Sequence, residues 1–176
     1  VLDEIGERSV EAAVSYKEAH PDTEVVVLSV GPASVPTALR KALAMGSDSA
    51  IHVLDEELAG ADLTLTAEVL AAAIRKAGFD LVLAGNLSTD GTSGVIPAMV
   101  AELLGVAHVT SLSSWELTDT EVAGTRATDG GVAQVRAALP AVVSITEAFP
   151  DPRFPNFKGI MAAKKKPFET WSLADL

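Results

Sequence analysis

Apolar residues along this chain recur alternately at helical and at strand-like spacing. Residues 5–19 follow a helical period, and Asp3 before them is a residue type that commonly caps helices. Residues 24–31 form a continuous β-branched run, which is typical of a strand buried on both faces of a parallel sheet. A second helix is predicted after this strand, with Ser34 as its cap and Gly46 at its end.

The alternation continues through two more strands and two more helices. Strands are predicted at 50–54 and 81–85, and helices at 62–76 and 93–104. Strands that alternate with helices form right-handed crossovers, so the helices cover both faces of a parallel sheet. We therefore predict an α/β fold with a Rossmann-like, doubly wound, mostly parallel sheet. Such a sheet normally has a strand ahead of its first helix, and we expect this sequence to be part of a longer chain that supplies it.

The pattern changes after residue 107. Four strand-like segments follow, at 108–117, 121–128, 132–137 and 141–145, and Asp129-Gly130-Gly131 predicts an antiparallel β-hairpin. From Thr146 onward the chain holds four prolines and is predicted to be an irregular, extended arm. We divide the chain into an α/β domain, 1–145, and a C-terminal arm, 146–176.

Composition limits the class of protein. The 176 residues are 48% hydrophobic with a mean hydropathy of +0.31, which is enough for one sizeable core. The apolar runs fall far short of the roughly 18 residues that span a bilayer, and the start of the chain does not resemble an export leader. The protein is therefore expected to be cytoplasmic and not membrane-embedded. The absence of cysteine excludes disulfides and thiolate chemistry.

Charge narrows the choice of partner. The net charge is −11, from 24 acidic and 13 basic residues, so the chain repels nucleic acid and anionic membranes. The basic residues are unevenly spread, and a cluster near the C-terminus consists of Lys158, Lys164, Lys165 and Lys166. Clusters of this kind are usually solvated, which is the expectation here.

Two loops follow the carboxyl ends of predicted parallel strands, where open sheets bind ligands. The first is 29–32, and the second, 85–94, is rich in Gly, Ser and Thr and runs directly into a helix. Small residues let backbone amides approach a ligand, and a helix N-terminus offers unpaired N–H groups to a phosphate. A nucleotide site is one interpretation of the second loop, and a long polar loop ahead of a helix is the other.

The usual catalytic motifs are missing from the sequence. The second loop is neither a Walker loop nor Gly-x-Gly-x-x-Gly, and it has no lysine to drive phosphoryl transfer. His20, His52 and His108 lie on separate predicted elements without ligand spacing, so no metal site is expected. These features favour a protein that holds a nucleotide over an enzyme with catalytic residues of its own.

Several motifs, in order along the chain, resemble the electron transfer flavoprotein β-subunit family. They are Val1-Leu-Asp-Glu-Ile5, Ser29-Val-Gly-Pro32, Leu39-Arg-Lys-Ala-Leu-Ala-Met-Gly-Ser-Asp48, residues 126–144 around the hairpin, and in the arm Pro152-Arg-Phe-Pro155 with Gly159-Ile-Met-Ala-Ala-Lys-Lys-Lys166. The resemblance covers nearly the whole chain, and the residues of these motifs are similar to those of the actinobacterial branch of the family.

The resemblance implies a Rossmann-like domain of the adenine-nucleotide α-hydrolase type that pairs with an α subunit. The α subunit carries most of the FAD contacts, and the β subunit holds AMP or, in one subgroup, a second FAD. The family's nucleotide contacts correspond here to Val1, Leu2, Asp3, Val30, Gly85, Asn86, Leu87, Ser88, Thr89, Asp90, Gly91, Thr92, Ser93, Gly94, Val95 and Ile96. The loop chosen on physical grounds is also the loop that the resemblance indicates.

The resemblance also implies a docking function for the arm and an electron carrier rather than an enzyme. In the family, electrons pass from donors such as acyl-CoA dehydrogenases to a membrane quinone oxidoreductase. The apolar anchor that docks on the donor corresponds to Phe157, with Ile160 and Met161 beside it. An exposed aromatic residue amid polar ones is the usual form of a binding hot spot.

Some residues depart from the family pattern. The loop 85–96 matches neither the sequence motif of the AMP-binding subunits nor that of the FAD-binding subunits, so the sequence does not decide which nucleotide binds. Ala127 and Ala133 replace acidic residues of the hairpin signature, and the family's first strand and last C-terminal residues lie outside this sequence. Two alternatives remain. One is a stand-alone adenine-nucleotide binder of the stress-protein type, and the other is an enzyme that hydrolyses adenosine phosphates, with Asp90 as its one candidate acid.

Overall fold

The computed structural model describes residues 2–176, so Val1 lies outside the described part of the chain. The helices are α1 (Glu4–Ala19), α2 (Pro36–Met45), α3 (Leu63–Ala77), α4 (Ile96–Leu104) and α5 (Phe157–Ala163), with short 3-10 turns at Glu56–Leu58 and Leu173–Asp175. The strands are β1 (Val26–Val30), β2 (Ser49–Val53), β3 (Leu81–Gly85), β4 (Ala107–Leu117), β5 (Glu121–Thr128), β6 (Gly131–Ala138), β7 (Ala141–Ile145) and β8 (Phe168–Trp171). The predicted alternation of strands and helices is confirmed.

Within residues 2–176, the strands form two open sheets. The first is parallel throughout, in the order β1-β2-β8, and the second has the order β3-β7-β4-β5-β6. In the second sheet β7 runs parallel to both β3 and β4, and Val143 of β7 pairs with Leu83 on one side and Val109 on the other. Strand β7 is buried along its whole length, as expected for a central parallel strand. The α/β class with mostly parallel sheets is confirmed.

Helices cover both faces of the sheets, as in a doubly wound fold. Successive side chains of a strand point to opposite faces. In β7, Val143 belongs to the apolar cluster that includes α1, whereas Val142 belongs to the cluster of α3 and α4. In β2, Ala50 packs in the cluster of α2 and α5, and Val53 packs in that of α3.

Two of the predicted helix ends differ in outcome. Asp62, the first residue of the predicted helix 62–76, caps α3, because its side chain accepts a hydrogen bond from the Leu65 backbone N–H at 2.9 Å. The prediction that Ser34 caps α2 is wrong. That helix begins at Pro36, a residue suited to the first turn, and Val35 occupies the cap position without a side-chain bond.

The predicted antiparallel hairpin is confirmed. Strands β5 and β6 pair in antiparallel fashion from Glu121 opposite Ala138 to Thr128 opposite Gly131. The loop between the strands is therefore the two-residue Asp129-Gly130 turn, and Gly131, which the sequence places in the turn, begins β6.

The C-terminal arm is not irregular throughout, so that part of the prediction is wrong. The arm forms helix α5 and then strand β8, which extends the first sheet beside β2. Asn156 caps α5 by accepting a hydrogen bond from the Gly159 N–H at 2.8 Å. Pro155 and Pro167 lie just before the two elements, where they leave the hydrogen bonds of both elements intact. The domain boundary at residue 145 stays a prediction.

The facing edges of β1 and β3 border a cleft of about 2060 Å³. Within residues 2–176, β1 pairs only with β2, and β3 pairs only with β7. Leu28 of β1 and Val82 of β3 line this cleft and are only partly buried. The strand expected ahead of α1 stays a prediction. In this same part of the chain, no helix combines the length and apolar character needed to cross a membrane.

Gly124 provides a test of the packing between β4 and β5. A Cβ at this position would lie 2.3 Å from the Ser114 carbonyl oxygen and 2.9 Å from Leu112 Cδ1. We expect Gly124→Ala to lower the free energy of unfolding by about 1–3 kcal/mol, because strands β4 and β5 must separate to admit the methyl group. Urea denaturation measures this loss.

Gly130→Ala is the matched control for that substitution. Gly130 lies in the hairpin turn outside the left-handed region, and a Cβ there meets no atom within 4 Å. Equal stabilities for the two variants would contradict the packing argument.

Candidate functional site

Three separate parts of the chain meet at the carboxyl end of the cleft. Leu2 and Asp3 precede α1, Val30 ends β1 and Gly85 ends β3, and all four residues line the cleft. The chain continues from β1 to β2 on one side of the cleft, whereas β3 pairs with β7 on the other side. Open α/β sheets bind ligands at such a reversal of strand order.

Half of the predicted nucleotide contacts line this cleft. They are Leu2, Asp3, Val30, Gly85, Ser88, Thr89, Asp90 and Ile96. The remaining described residues belong to the same loop but do not line it: Asn86, Leu87, Gly91, Thr92, Ser93, Gly94 and Val95. Val1 lies outside the described residues.

Asp3 ties the start of α1 to the loop 85–96. It occupies the predicted cap position of α1, but its side chain makes no capping bond. Instead the carboxylate accepts a hydrogen bond from Thr89 Oγ1 at 2.7 Å. Gly85 reinforces the contact, because a Cβ at that position would lie 3.0 Å from Ile5 Cγ2. The loop and the helix are therefore held in one arrangement.

The loop forms a compact turn before α4. The Thr92 N–H donates to the Ser88 carbonyl oxygen at 3.1 Å, and Thr92 itself has a φ of 49°. Gly94 has a φ of 68°, a left-handed conformation that interrupts the helical backbone. This is why α4 begins at Ile96 rather than at the predicted Ser93.

The loop offers backbone donors to a ligand. Within the described residues, no side chain caps the N-terminus of α4, so the N–H groups of its first turn are free to bind an anion. An anionic phosphate fits these donors. The Asn86 Oδ1 atom is buried and accepts no hydrogen bond from the described residues, and Asn86 does not line the cleft.

Asp90 is the one charged residue of the loop. Hydrogen bonds from the Gly91 N–H and the Ser88 hydroxyl lower the pKa of its carboxyl, so Asp90 is ionised at neutral pH. An ionised carboxylate does not stabilise the negative charge that develops in phosphoryl transfer, which cationic groups normally do. Asp90 therefore does not equip the loop to cleave a phosphate.

The three histidines lie apart from one another. His52 is 1% exposed, and its Nε2 atom lies 2.8 Å from the Gly31 carbonyl oxygen. His20 is exposed and stacks on Tyr16, and His108 is exposed on β4. Among residues 2–176, no three His, Asp or Glu side chains converge as metal ligands would.

Helix α5 presents an apolar patch to solvent. Phe157 is 78% exposed, Ile160 46% and Met161 44%, so the three predicted docking residues share one accessible surface. Phe154, 93% exposed, precedes α5 in the chain, and we define the apolar patch as these four residues. Sequence reasoning did not include Phe154, although its place in Pro152-Arg-Phe-Pro155 beside the predicted anchor is a usable signal. Exposed large apolar residues that cluster in this way mark interaction sites.

Close contacts mount α5 on α2. A Cβ at Gly159 would lie 2.4 Å from the Ala44 carbonyl oxygen, so the two helices touch through their backbones. At the other end of α5, Arg40 Nη1 donates to the Ala163 carbonyl oxygen at 2.8 Å. The apolar patch thus lies on the outer side of a helix that is fastened on its inner side.

One lysine of the C-terminal cluster is structural. Lys166 Nζ donates to the carbonyl oxygens of Leu43 at 2.8 Å and Ser47 at 2.5 Å, at the end of α2. Burial lowers the pKa of this amine. The expectation of a solvated cluster is wrong for Lys166, whereas Lys164 and Lys165 are exposed.

Arg153 clamps the arm to α1. Its Nε and Nη2 atoms donate to the two carboxylate oxygens of Glu11, each at 2.9 Å, and its Nη1 atom donates to Glu18 at 2.5 Å. The Arg153 backbone N–H also donates to Glu11 at 2.9 Å. These bonds lower the pKa of the Glu11 carboxyl to about 2, and Arg153 also lowers the pKa of Glu18. No sequence pattern indicated this contact.

Comparison with known proteins gives one consistent family. The model of the electron transfer flavoprotein domain matches residues 1–176. "Electron transfer flavoprotein subunit beta" of Mycobacterium leprae is 46% identical over 181 aligned residues, which cover 100% of this chain and 68% of that protein. The protein of the same name from Bacillus subtilis is 34% identical, with the same coverages. "Caffeyl-CoA reductase-Etf complex subunit CarD" of Acetobacterium woodii is 32% identical, again over 100% of this chain and 68% of its own length.

The Glu11–Arg153 pair predicts a specific loss of stability in acid. The pKa of Glu11 is about 2 in the folded chain against 4.5 for a free glutamate. A depressed pKa contributes stability that is complete above about pH 4.5 and is lost as the pH falls towards 2. We expect the free energy of unfolding to fall by about 1–3 kcal/mol more across this window in the wild type than in Glu11→Gln. Urea denaturation at several pH values measures it.

Glu24→Gln, which alters an exposed glutamate outside the clamp, should keep the pH profile of the wild type. Identical profiles for the wild type and Glu11→Gln would show that the clamp does not stabilise the folded chain.

Proposed function

This chain belongs to the electron transfer flavoprotein family, among its β subunits, and from that premise we propose that it works as an electron carrier in a heterodimer with an α subunit. The heterodimer accepts electrons from dehydrogenases such as acyl-CoA dehydrogenases and passes them to a membrane quinone oxidoreductase. FAD is held mainly by the α subunit. When bound, the flavin supplies the redox chemistry, and the residues of this chain position the cofactors and the partners.

The carboxyl end of the cleft between β1 and β3 is the proposed nucleotide site of this chain, with AMP or a second FAD as its ligand. The observations that carry this assignment are the hydrogen bond that joins Asp3 to the loop 85–96 and the position of Val30 on the border of the same cleft. The ionised Asp90 repels a phosphate, so we expect the phosphate at the free N–H groups of α4.

The apolar patch on α5 is the proposed docking surface for the electron donor. Phe157 is exposed on α5 together with Ile160 and Met161, and an exposed aromatic residue of this kind is the usual form of a hot spot. A patch of only four side chains suits a partner that must dissociate after each transfer. The proposed cytoplasmic location stays a prediction.

The two alternative functions explain less of the chain. A stand-alone nucleotide binder uses the cleft but leaves the exposed patch without a purpose. A hydrolase needs a cation near the phosphate, and the loop 85–96 contains none.

Cofactor analysis of the complex is the direct test of the carrier proposal. We expect the full-length parent, co-expressed with an α subunit, to purify as a heterodimer that releases FAD and AMP in equal amounts on denaturation. Release of two FAD molecules per heterodimer, without AMP, assigns a second FAD to the cleft. A chain that forms no complex and carries no flavin contradicts the proposal and favours the stand-alone nucleotide binder.

Gly94→Ala tests, in the same cofactor assay, whether the loop 85–96 holds the nucleotide. A side chain is strained at a φ of 68° and disturbs the turn ahead of α4, so we expect less nucleotide per heterodimer and unchanged α-subunit FAD. Gly105→Ala is the matched control, because Gly105 has a φ of 69° at the far end of the same helix. Equal loss of nucleotide in both variants would point to general destabilisation instead.

Phe157→Ala tests the docking surface. Truncation of a hot-spot residue costs at least about 2 kcal/mol of binding, which is more than tenfold in affinity. We expect the KM of an acyl-CoA dehydrogenase for the heterodimer to rise by that factor, with cofactor content unchanged. Steady-state reduction of the heterodimer at varied concentration measures it.

Leu63→Ala is the control for loss of an exposed apolar side chain. Leu63 is 41% exposed and begins α3, which packs on the opposite face of the sheet from α5. If Phe157→Ala and Leu63→Ala give the same KM, the docking surface lies elsewhere.

A further inference from the structure

The apolar patch is preceded by a segment that is tied to α1 along its length. We call residues 149–153 the strap. Arg8 Nη1 donates to the Phe149 carbonyl oxygen at 2.6 Å, and Arg8 Nη2 pairs with Asp151 at 2.6 Å. Phe149 is 4% exposed, and its ring lies edge-on to Trp115 with 6.1 Å between centroids. The last residue of the strap is Arg153, and the first residue of the patch follows it directly.

We propose that Arg153 is a positioning residue that holds the apolar patch in its docking orientation before any partner arrives. The inference rests on the proposed docking role of Phe157. The segment between Arg153 and α5 is fixed at both ends, by the Glu11 and Glu18 carboxylates on one side and by the contact of Gly159 with Ala44 on the other.

The geometry of the clamp is specific to arginine. One planar guanidinium donates from all three of its nitrogens to two carboxylates on one face of α1, and the Ser15 hydroxyl donates in turn to Glu11 at 2.8 Å. A lysine keeps the charge at this position but cannot reproduce the two-pronged contact. Release of Arg153 therefore frees the C-terminal end of the strap, next to Phe154, without removing any side chain of the patch.

An arm that is released from α1 binds the donor more weakly, because only a fraction of the molecules hold the patch in the docking orientation. Apparent affinity falls in proportion to the fraction of molecules in the competent conformation. If release of the strap leaves about a tenth of the arms in the docking orientation, the apparent dissociation constant rises about tenfold. A preformed patch avoids the ordering cost at each encounter.

The test is Arg153→Gln in the heterodimer with its α subunit. We expect faster amide hydrogen exchange across residues 149–163 and about a tenfold higher KM of a purified acyl-CoA dehydrogenase for the heterodimer, with kcat and FAD content unchanged. Arg153→Lys should give a KM between those of the wild type and Arg153→Gln. Arg75→Gln, which removes a single bond to the Leu103 carbonyl oxygen on the other face, should change neither readout.

Glu11→Gln combined with Arg153→Gln should resemble Arg153→Gln alone, since both substitutions remove one interaction. Two results overturn the proposal, provided that Phe157→Ala raises the KM. One is an amide hydrogen exchange rate in Arg153→Gln that equals that of the wild type. The other is faster amide hydrogen exchange in Arg153→Gln with an unchanged KM. If Phe157→Ala also leaves the KM unchanged, the docking surface itself is wrong, and the exchange data still report whether Arg153 orders the arm.

Discussion

Ile5 of α1 packs against the backbone of Gly85 so closely that a Cβ on the glycine would lie 3.0 Å from Ile5 Cγ2. The contact holds α1 at the carboxyl end of β3, and a larger residue would displace the helix. The first residues before α1 then place Asp3 beside Thr89, and later turns of the same helix present Glu11 to Arg153. Because one helix aligns both the nucleotide loop and the docking arm, a shift of α1 moves both proposed sites together.

The acidic composition of the chain is partly structural. Along α1, Glu7 pairs with Lys41 of α2, and Glu11 and Glu18 bind Arg153 of the arm, so the negative charges join separate elements. Exposed ion pairs contribute little to stability, but the Glu11 side chain is only 13% exposed and its contact with the guanidinium is two-pronged. Part of the net charge of −11 therefore fastens the arm rather than only keeping the surface hydrated.

Local patterns predicted the parts of the fold that depend on local chemistry. The Asp129-Gly130 turn sets the hairpin, and the apolar run 24–31 contains β1, because turn geometry and residue spacing act over a few positions. The arm was predicted to be irregular because its prolines are visible in the sequence, whereas the contacts that order it are not. The bond from Arg153 to Glu11 joins residues 142 positions apart, and no local pattern reports such a pair. The composition of the loop 85–96 predicted a nucleotide site, and that role stays a proposal, whereas the buried Oδ1 atom of Asn86 is visible only in three dimensions.

An electron carrier must bind its donor specifically and then leave it quickly, and the construction of the arm suits both needs. Specificity comes from a few apolar side chains in one fixed orientation, while the small size of the patch limits how long a complex lasts. Order in the arm is supplied inside the free chain, by Arg153 on α1 and by the close contact of Gly159 with α2. The entropy cost of that order is met during folding, so it does not recur at each encounter. A carrier with a preformed patch therefore reaches a given affinity with fewer contacts, and fewer contacts permit faster release.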